Sequence, residues 1–152
     1  MLAQQLSPRP TPPHRLPGIA RLAVGLEIFL GLGALFGGGL LILAPDGRLL
    51  GMPANLLTGT PFQSFLVPGI CLFVFVGIAP LLAAAMTLRR QVIAPLAAVA
   101  VGLMLMGWIA SEMVALAGIG SIAWAFYLVL GTSIAAVGLV WWRSSRAPNE
   151  PV

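Results

Sequence analysis

The sequence contains no lysine, one cysteine (Cys71), one histidine (His14) and four carboxylates, Glu27, Asp46, Glu112 and Glu150. A single cysteine excludes an internal disulfide, a C-x-x-C redox pair and quinone-linked thiol chemistry. A single histidine, placed in the N-terminal tail, excludes bis-histidine haem ligation and histidine metal sites. Phosphate- and dinucleotide-binding glycine patterns are missing too, because the glycine run at Gly37, Gly38 and Gly39 lies mid-helix with no strand before it. No catalytic constellation and no cofactor is therefore expected, and the chain reads as a non-enzymatic protein.

Charge is equally scarce. Charged residues make up 8% of the 152, hydrophobic residues 59%, and mean hydropathy is +1.02. Soluble domains carry about 25% charged residues, which they need to cover a wet surface. A chain this poor in polar groups is expected to lie in lipid.

Four apolar runs, roughly 22–43, 65–88, 93–116 and 122–142, are each long enough to cross a hydrocarbon core. That crossing takes about 20 helical residues at about 1.5 Å each. With short links between most of them, the expected fold is all-α, an integral membrane four-helix bundle. The first run is longer than a signal-peptide core and no A-x-A cleavage pattern follows it, so it reads as a retained helix.

The eight arginines set the expected orientation. Arg9, Arg15 and Arg21 precede helix 1, Arg89 and Arg90 separate helices 2 and 3, and Arg143 and Arg146 follow helix 4, whereas Arg48 lies on the opposite side. The positive-inside rule then makes both termini cytoplasmic. Trp141 and Trp142 close the fourth run at the expected headgroup level. The pI near 11.2 and net charge of +4 have the same source and imply no nucleic-acid partner. The expected partners are the lipid bilayer and a membrane partner subunit or further copies of the chain.

The expected domain organisation is a proline-rich cytoplasmic tail over 1–18, a membrane domain over 19–142 with an outer loop at 45–64, and a disordered tail over 143–152. That loop is greasy for a segment in water. Pro45-Asp46-Gly47 should end helix 1, Pro53 should start a short turn, and Thr60-Pro61-Phe62-Gln63 has the form of a capping box starting a helix at Pro61. Pro68-Gly69 should break that helix. Leu49, Leu50, Met52, Leu56, Leu57, Phe62, Phe65 and Leu66 are then expected against the bundle mouth or in the outer leaflet, so that the loop is a cap.

The string PDGRLLGMPANLLTGTPFQSFLVPG after a glycine-rich first helix, with GWIASEM in the third, resembles a group of uncharacterised small four-helix bacterial integral membrane proteins. The resemblance covers most of the chain. It implies the four-helix fold and a multi-pass location in the bacterial cytoplasmic (inner) membrane, and brings no activity with it.

Ionisable residues inside apolar spans are the natural candidates for function. Glu27 shares a stripe with Ala20, Ala23, Gly31, Ala34 and Gly38, a small-residue face that turns it into the bundle. It reads either as a protonatable transport site or as a residue bonded to a neighbouring helix or to Arg89, Arg90 or Arg143. The transport reading is similar to the small multidrug resistance family, whose helix-1 glutamate Glu27 would match. The long tails, the large outer loop and the one-sided arginine bias depart from that family. Gly33 and Gly37 on the same helix read as internal packing.

Glu112, near the outer end of helix 3, has Trp108 one turn below and Ser111 beside it. It reads either as an anchor for the loop, through Arg48, Asn55, Thr60 or Gln63, or as part of an outer ligand site with Trp108 and Arg48. Helices 1 and 3 run in the same direction, and the depths of Glu27 and Glu112 differ by about 20 Å at about 1.5 Å per residue. A shared-proton dyad and a two-carboxylate metal site are thereby excluded. Pro80 is expected to kink helix 2 and Pro95 to sit in the first turn of helix 3.

Overall fold

Where apolar side chains leave the backbone no water to bond, a helix is the simplest way to satisfy every N–H and C=O within one segment. The protein follows this rule in a computed structural model that describes residues 16–115 and 122–146. The described residues form four long helices: α1 (Gly18–Leu43), α2 (Leu66–Leu88), α3 (Ala94–Ala115) and α4 (Ile122–Arg146). Each is long and apolar enough to cross a membrane. The expectations for the tails, up to residue 15 and beyond residue 146, lie outside the described residues.

The helix ends differ from expectation in physically interpretable ways. α1 starts at Gly18, so Arg21 lies in its first turn, where its N–H bonds to the Pro17 carbonyl. α4 continues to Arg146, so residues 143–146, expected in the disordered tail, are helical. The Arg146 guanidinium lies 4.3 Å from the Trp142 ring centroid, one turn back, and the Ser144 and Ser145 hydroxyls bond to the Trp141 carbonyl. These local contacts carry the helix past the last apolar residue.

Two prolines behave differently from the sequence reading. Pro68 and Gly69 do not break a helix, because α2 begins only at Leu66 and Pro68 falls in its first turn, where an N–H has no helical partner to lose. Pro80 does act on α2, through a π-helical segment at Leu72–Ile78 immediately before it. There the N–H of Ala79 bonds to the Val74 carbonyl, a register that accommodates the donor Pro80 lacks. Between α2 and α3, Arg90 takes φ 57 while the N–H groups of Arg90 and Gln91 bond back to Thr87 and Met86. This is a Schellman closure with arginine in the usual glycine position.

Packing divides the bundle into two antiparallel hairpins. α1 lies against α2 through Gly31, Gly38, Gly69 and Gly77: a Cβ on Gly38 would fall 2.8 Å from the Phe73 backbone nitrogen. α3 lies against α4 as closely, since a Cβ on Gly102 would fall 2.5 Å from both the Gly131 oxygen and the Ala135 nitrogen. Small residues let the backbones touch. Larger side chains such as Phe36, Leu82 and Val129 point outward and are exposed.

The end holding the start of α1 and the end of α4 is here called basal, and the end holding the α1–α2 loop apical. Leu30, Val76, Leu105 and Ile134, all almost fully buried, form a plug where the hairpins meet.

Candidate functional site

The apical loop is held by few contacts. Gly47, at φ 80, turns the chain out of α1 and accepts hydrogen bonds from the N–H groups of Leu50 and Met52. Short 3-10 turns follow at Arg48–Leu50 and Ala54–Leu57. The Phe65 N–H then bonds to the Pro45 carbonyl at 2.8 Å, cinching the loop at its base, while the Phe65 ring is buried.

The capping box at Thr60 does not start a helix. Its hydroxyl donates to the Leu57 carbonyl at 2.8 Å and accepts from the Phe62 N–H at 3.3 Å, which makes it a turn. The chain then passes through residues 61–65 without helical structure.

Beneath this loop lies a cavity of about 610 Å³. Its roof is Met52, Leu56, Leu57, Phe62 and Phe65; Leu49, Leu50 and Leu66 lie outside its lining and are exposed, the other of the two placements expected for the loop's apolar residues. Its floor is Leu30, Val76 and Leu105, the upper face of the plug. Gly33 and Gly37 form part of the α1 wall. A Cβ on Gly33 would meet nothing within 4 Å, and one on Gly37 only the Leu72 Cδ2 at 3.8 Å. The internal packing expected of this pair falls instead to Gly31 and Gly38; Gly33 and Gly37 leave space.

At the apical rim, α3 and α4 contribute Trp108, Glu112, Trp124 and Tyr127. The Trp108 indole Nε1 donates to Glu112 Oε1 at 2.7 Å, and the Trp124 side chain reaches the same carboxyl. Among the described residues lining the cavity, Glu112 alone is acidic or basic.

The loop contacts expected for Glu112 take a different form. Arg48 sits on the exposed side of the loop, where its backbone N–H bonds to Asp46 Oδ1 and its Nε lies 3.8 Å from Asp46 Oδ2. Asn55 and Gln63 are exposed. Thr60 lines the cavity with Glu112, but its hydroxyl is spent on the turn. Glu112 is thus oriented by indoles rather than by the loop. Sequence reasoning placed Trp108 on the right face through its i−4 spacing and missed Trp124 and Tyr127, whose approach depends on how α4 packs.

Glu27 occupies the opposite part of the bundle. It is fully buried on the Ala20, Ala23, Gly31 face, one turn basal to Leu30, and neither carboxyl oxygen has a hydrogen-bond partner among the described residues. Among the described residues, no hydrogen bond from a neighbouring helix or from an arginine, the alternatives the sequence left open, reaches either oxygen. Thr87, near the basal end of α2, is likewise buried with an unpartnered hydroxyl. The plug separates Glu27 from the cavity that holds Glu112, and among the described residues no three His, Cys, Asp or Glu side chains converge as metal ligands would.

No protein-family model, curated protein or solved structure matches this chain.

Proposed function

We propose that the protein is a non-enzymatic, multi-pass integral membrane protein that holds an apolar or lipid-like ligand in the apical cavity, as a binder or as the ligand-holding accessory subunit of a membrane assembly. The observation that carries this reading is the cavity itself, about 610 Å³ with walls from all four helices and a roof from the loop. Ligand sites commonly span about 300–1,000 Å³ and are mostly apolar with a few placed polar groups. Gly33 and Gly37 support the reading, since both line the cavity and a Cβ at either would extend into space without clash.

Membrane insertion is supported by the outward-facing Phe36, Leu82 and Val129 around a small-residue interior. Arg21, Arg89, Arg90, Arg143 and Arg146 gather at the basal end and Arg48 at the apical end. The positive-inside rule then orients the basal end to the cytoplasm. The resemblance of the apical loop to small bacterial membrane proteins supports the bacterial cytoplasmic membrane as the compartment.

Native mass spectrometry of the protein, gently extracted from its own membrane, tests the reading. Wild type is expected to retain a small apolar molecule and Gly37→Leu to lose it. Equal mass spectra from both, with nothing retained, overturn the ligand reading.

A second reading, proton-coupled transport through Glu27, rests on the full burial of that carboxyl without a partner. Uncompensated polar groups inside a membrane are costly and tend to be functional. It requires the plug to part during a transport cycle. Proteoliposomes carrying wild type and Glu27→Gln test it: proton flux lost in the variant supports it, and equal flux removes it.

A further inference from the structure

We infer that the ligand of the apical cavity is a single-chain amphiphile with a cationic head, its ammonium group held at Glu112 among Trp108, Trp124 and Tyr127 and its chain running down past Gly37 to the plug. This rests on reading the cavity as a ligand site and assigns its chemistry.

Charge complementarity selects the head group. Glu112 is the one acidic or basic residue among the described residues of the lining, and the neutral Trp108 indole satisfies a hydrogen bond without supplying positive charge. A carboxylate accepts bonds at about four lone-pair sites, so the neutral Trp108 and Trp124 indoles together leave it able to pair with a cation. Arg48, the nearest candidate counter-charge in the apical loop, is turned to Asp46 on the exposed side.

The aromatic residues define the rest of the recognition. Two tryptophans and a tyrosine border the same end of the cavity as the carboxyl. Aromatic faces attract ammonium groups electrostatically, and more strongly where water is excluded. An anionic head would meet the like charge of Glu112, and a neutral hydroxyl head could donate a hydrogen bond to it but would lack the attraction between opposite charges.

The remainder of the cavity suits a chain. The rest of its lining is mostly apolar, with Gly33, Gly37, Leu41, Leu72 and Ile109 in the walls, and it ends at Leu30, Val76 and Leu105. A tail pointing basally and a head at the apical rim also match the depth order of hydrocarbon and headgroup in a bilayer leaflet.

Cys71 lines the cavity and is the sole cysteine, so its alkylation reports occupancy without an added label. The experiment measures the maleimide reaction rate of Cys71 in nanodiscs of zwitterionic lipid, with dodecyltrimethylammonium, dodecanol or dodecyl sulfate added. Wild type is expected to be protected by the ammonium probe at concentrations at least about tenfold below those needed for dodecanol, with the sulfate weakest. Glu112→Gln should erase the preference for ammonium over dodecanol. Trp124→Leu should reduce it while leaving dodecanol protection intact, which provides a second variant should Glu112→Gln fail to fold.

Equal protection by all the probes, or a preference for sulfate, overturns the cationic head group and leaves the cavity reading standing. Absence of protection by any probe, with Gly37→Leu reacting at the wild-type rate, overturns both.

Discussion

The Trp108 indole Nε1 donates a 2.7 Å hydrogen bond to Oε1 of Glu112, one turn further along α3. Donor and acceptor belong to one helix, so the carboxyl keeps its direction whether or not the apical loop is in place. Trp108→Phe keeps the ring and removes the donor, while Glu112→Leu removes the acceptor. A double-mutant cycle on thermal unfolding in detergent is expected to give a coupling of about 0.5–1.5 kcal/mol, the usual net worth of an intramolecular hydrogen bond. Additive effects of the two substitutions would mean that the bond does not form.

The glycines separate into those that touch and those that leave space. Gly102→Ala puts a methyl 2.5 Å from the Gly131 oxygen and the Ala135 nitrogen, both backbone atoms of α4. The hairpin must separate to admit it, at an expected cost of about 1–3 kcal/mol or more. Gly33→Ala meets nothing within 4 Å and should gain up to about 1 kcal/mol from helix propensity. Opposite shifts in melting temperature for the two variants are the expected result; a fall for both would count against an open wall at Gly33.

Glu27 has no hydrogen-bond partner for either oxygen among the described residues and is fully buried. Removing a buried polar group that bonds to nothing relieves a desolvation penalty without breaking an interaction. Glu27→Met, similar in length and apolar, is expected to raise stability by about 1–3 kcal/mol. Denaturation midpoints in mild detergent measure this, and a lower midpoint would reveal a partner for the carboxyl.

Phe65 and Phe62 flank the base of the loop unequally, at 4% and 38% exposed. Phe65→Ala should cost about 3–5 kcal/mol, as a buried phenylalanine does, while Phe62→Ala should cost less than half as much. Comparable losses at the two positions would contradict the loop packing described above.

Much of the architecture is local and was therefore legible. The length of each apolar run sets the four helices, since about 20 helical residues span a hydrocarbon core whatever their neighbours are. The stripe of Ala20, Ala23, Gly31, Ala34 and Gly38 announces a packed face because helical periodicity alone aligns those positions, and all five are buried, Gly31 and Gly38 directly against α2. The i−4 spacing likewise brought Trp108 beneath Glu112.

Other features follow from relations no local pattern contains. Thr60 has the chemistry of a helix cap, but burying Phe65 and bonding its N–H to Pro45 commits residues 61–65 to an irregular path. Gly33 and Gly31 are the same residue type two positions apart, one facing empty space and the other the Leu81 side chain at 2.7 Å from its virtual Cβ.

Four apolar helices with all the arginines but Arg48 toward one end could be read before any fold was known, because hydropathy and charge act residue by residue. The cavity, the placing of Glu27 outside its lining, and the meeting of Glu112 with Trp124 arise from how the helices pack. Each hairpin packs tightly within itself through glycine contacts, and the space left between the two depends on side chains from all four helices at once.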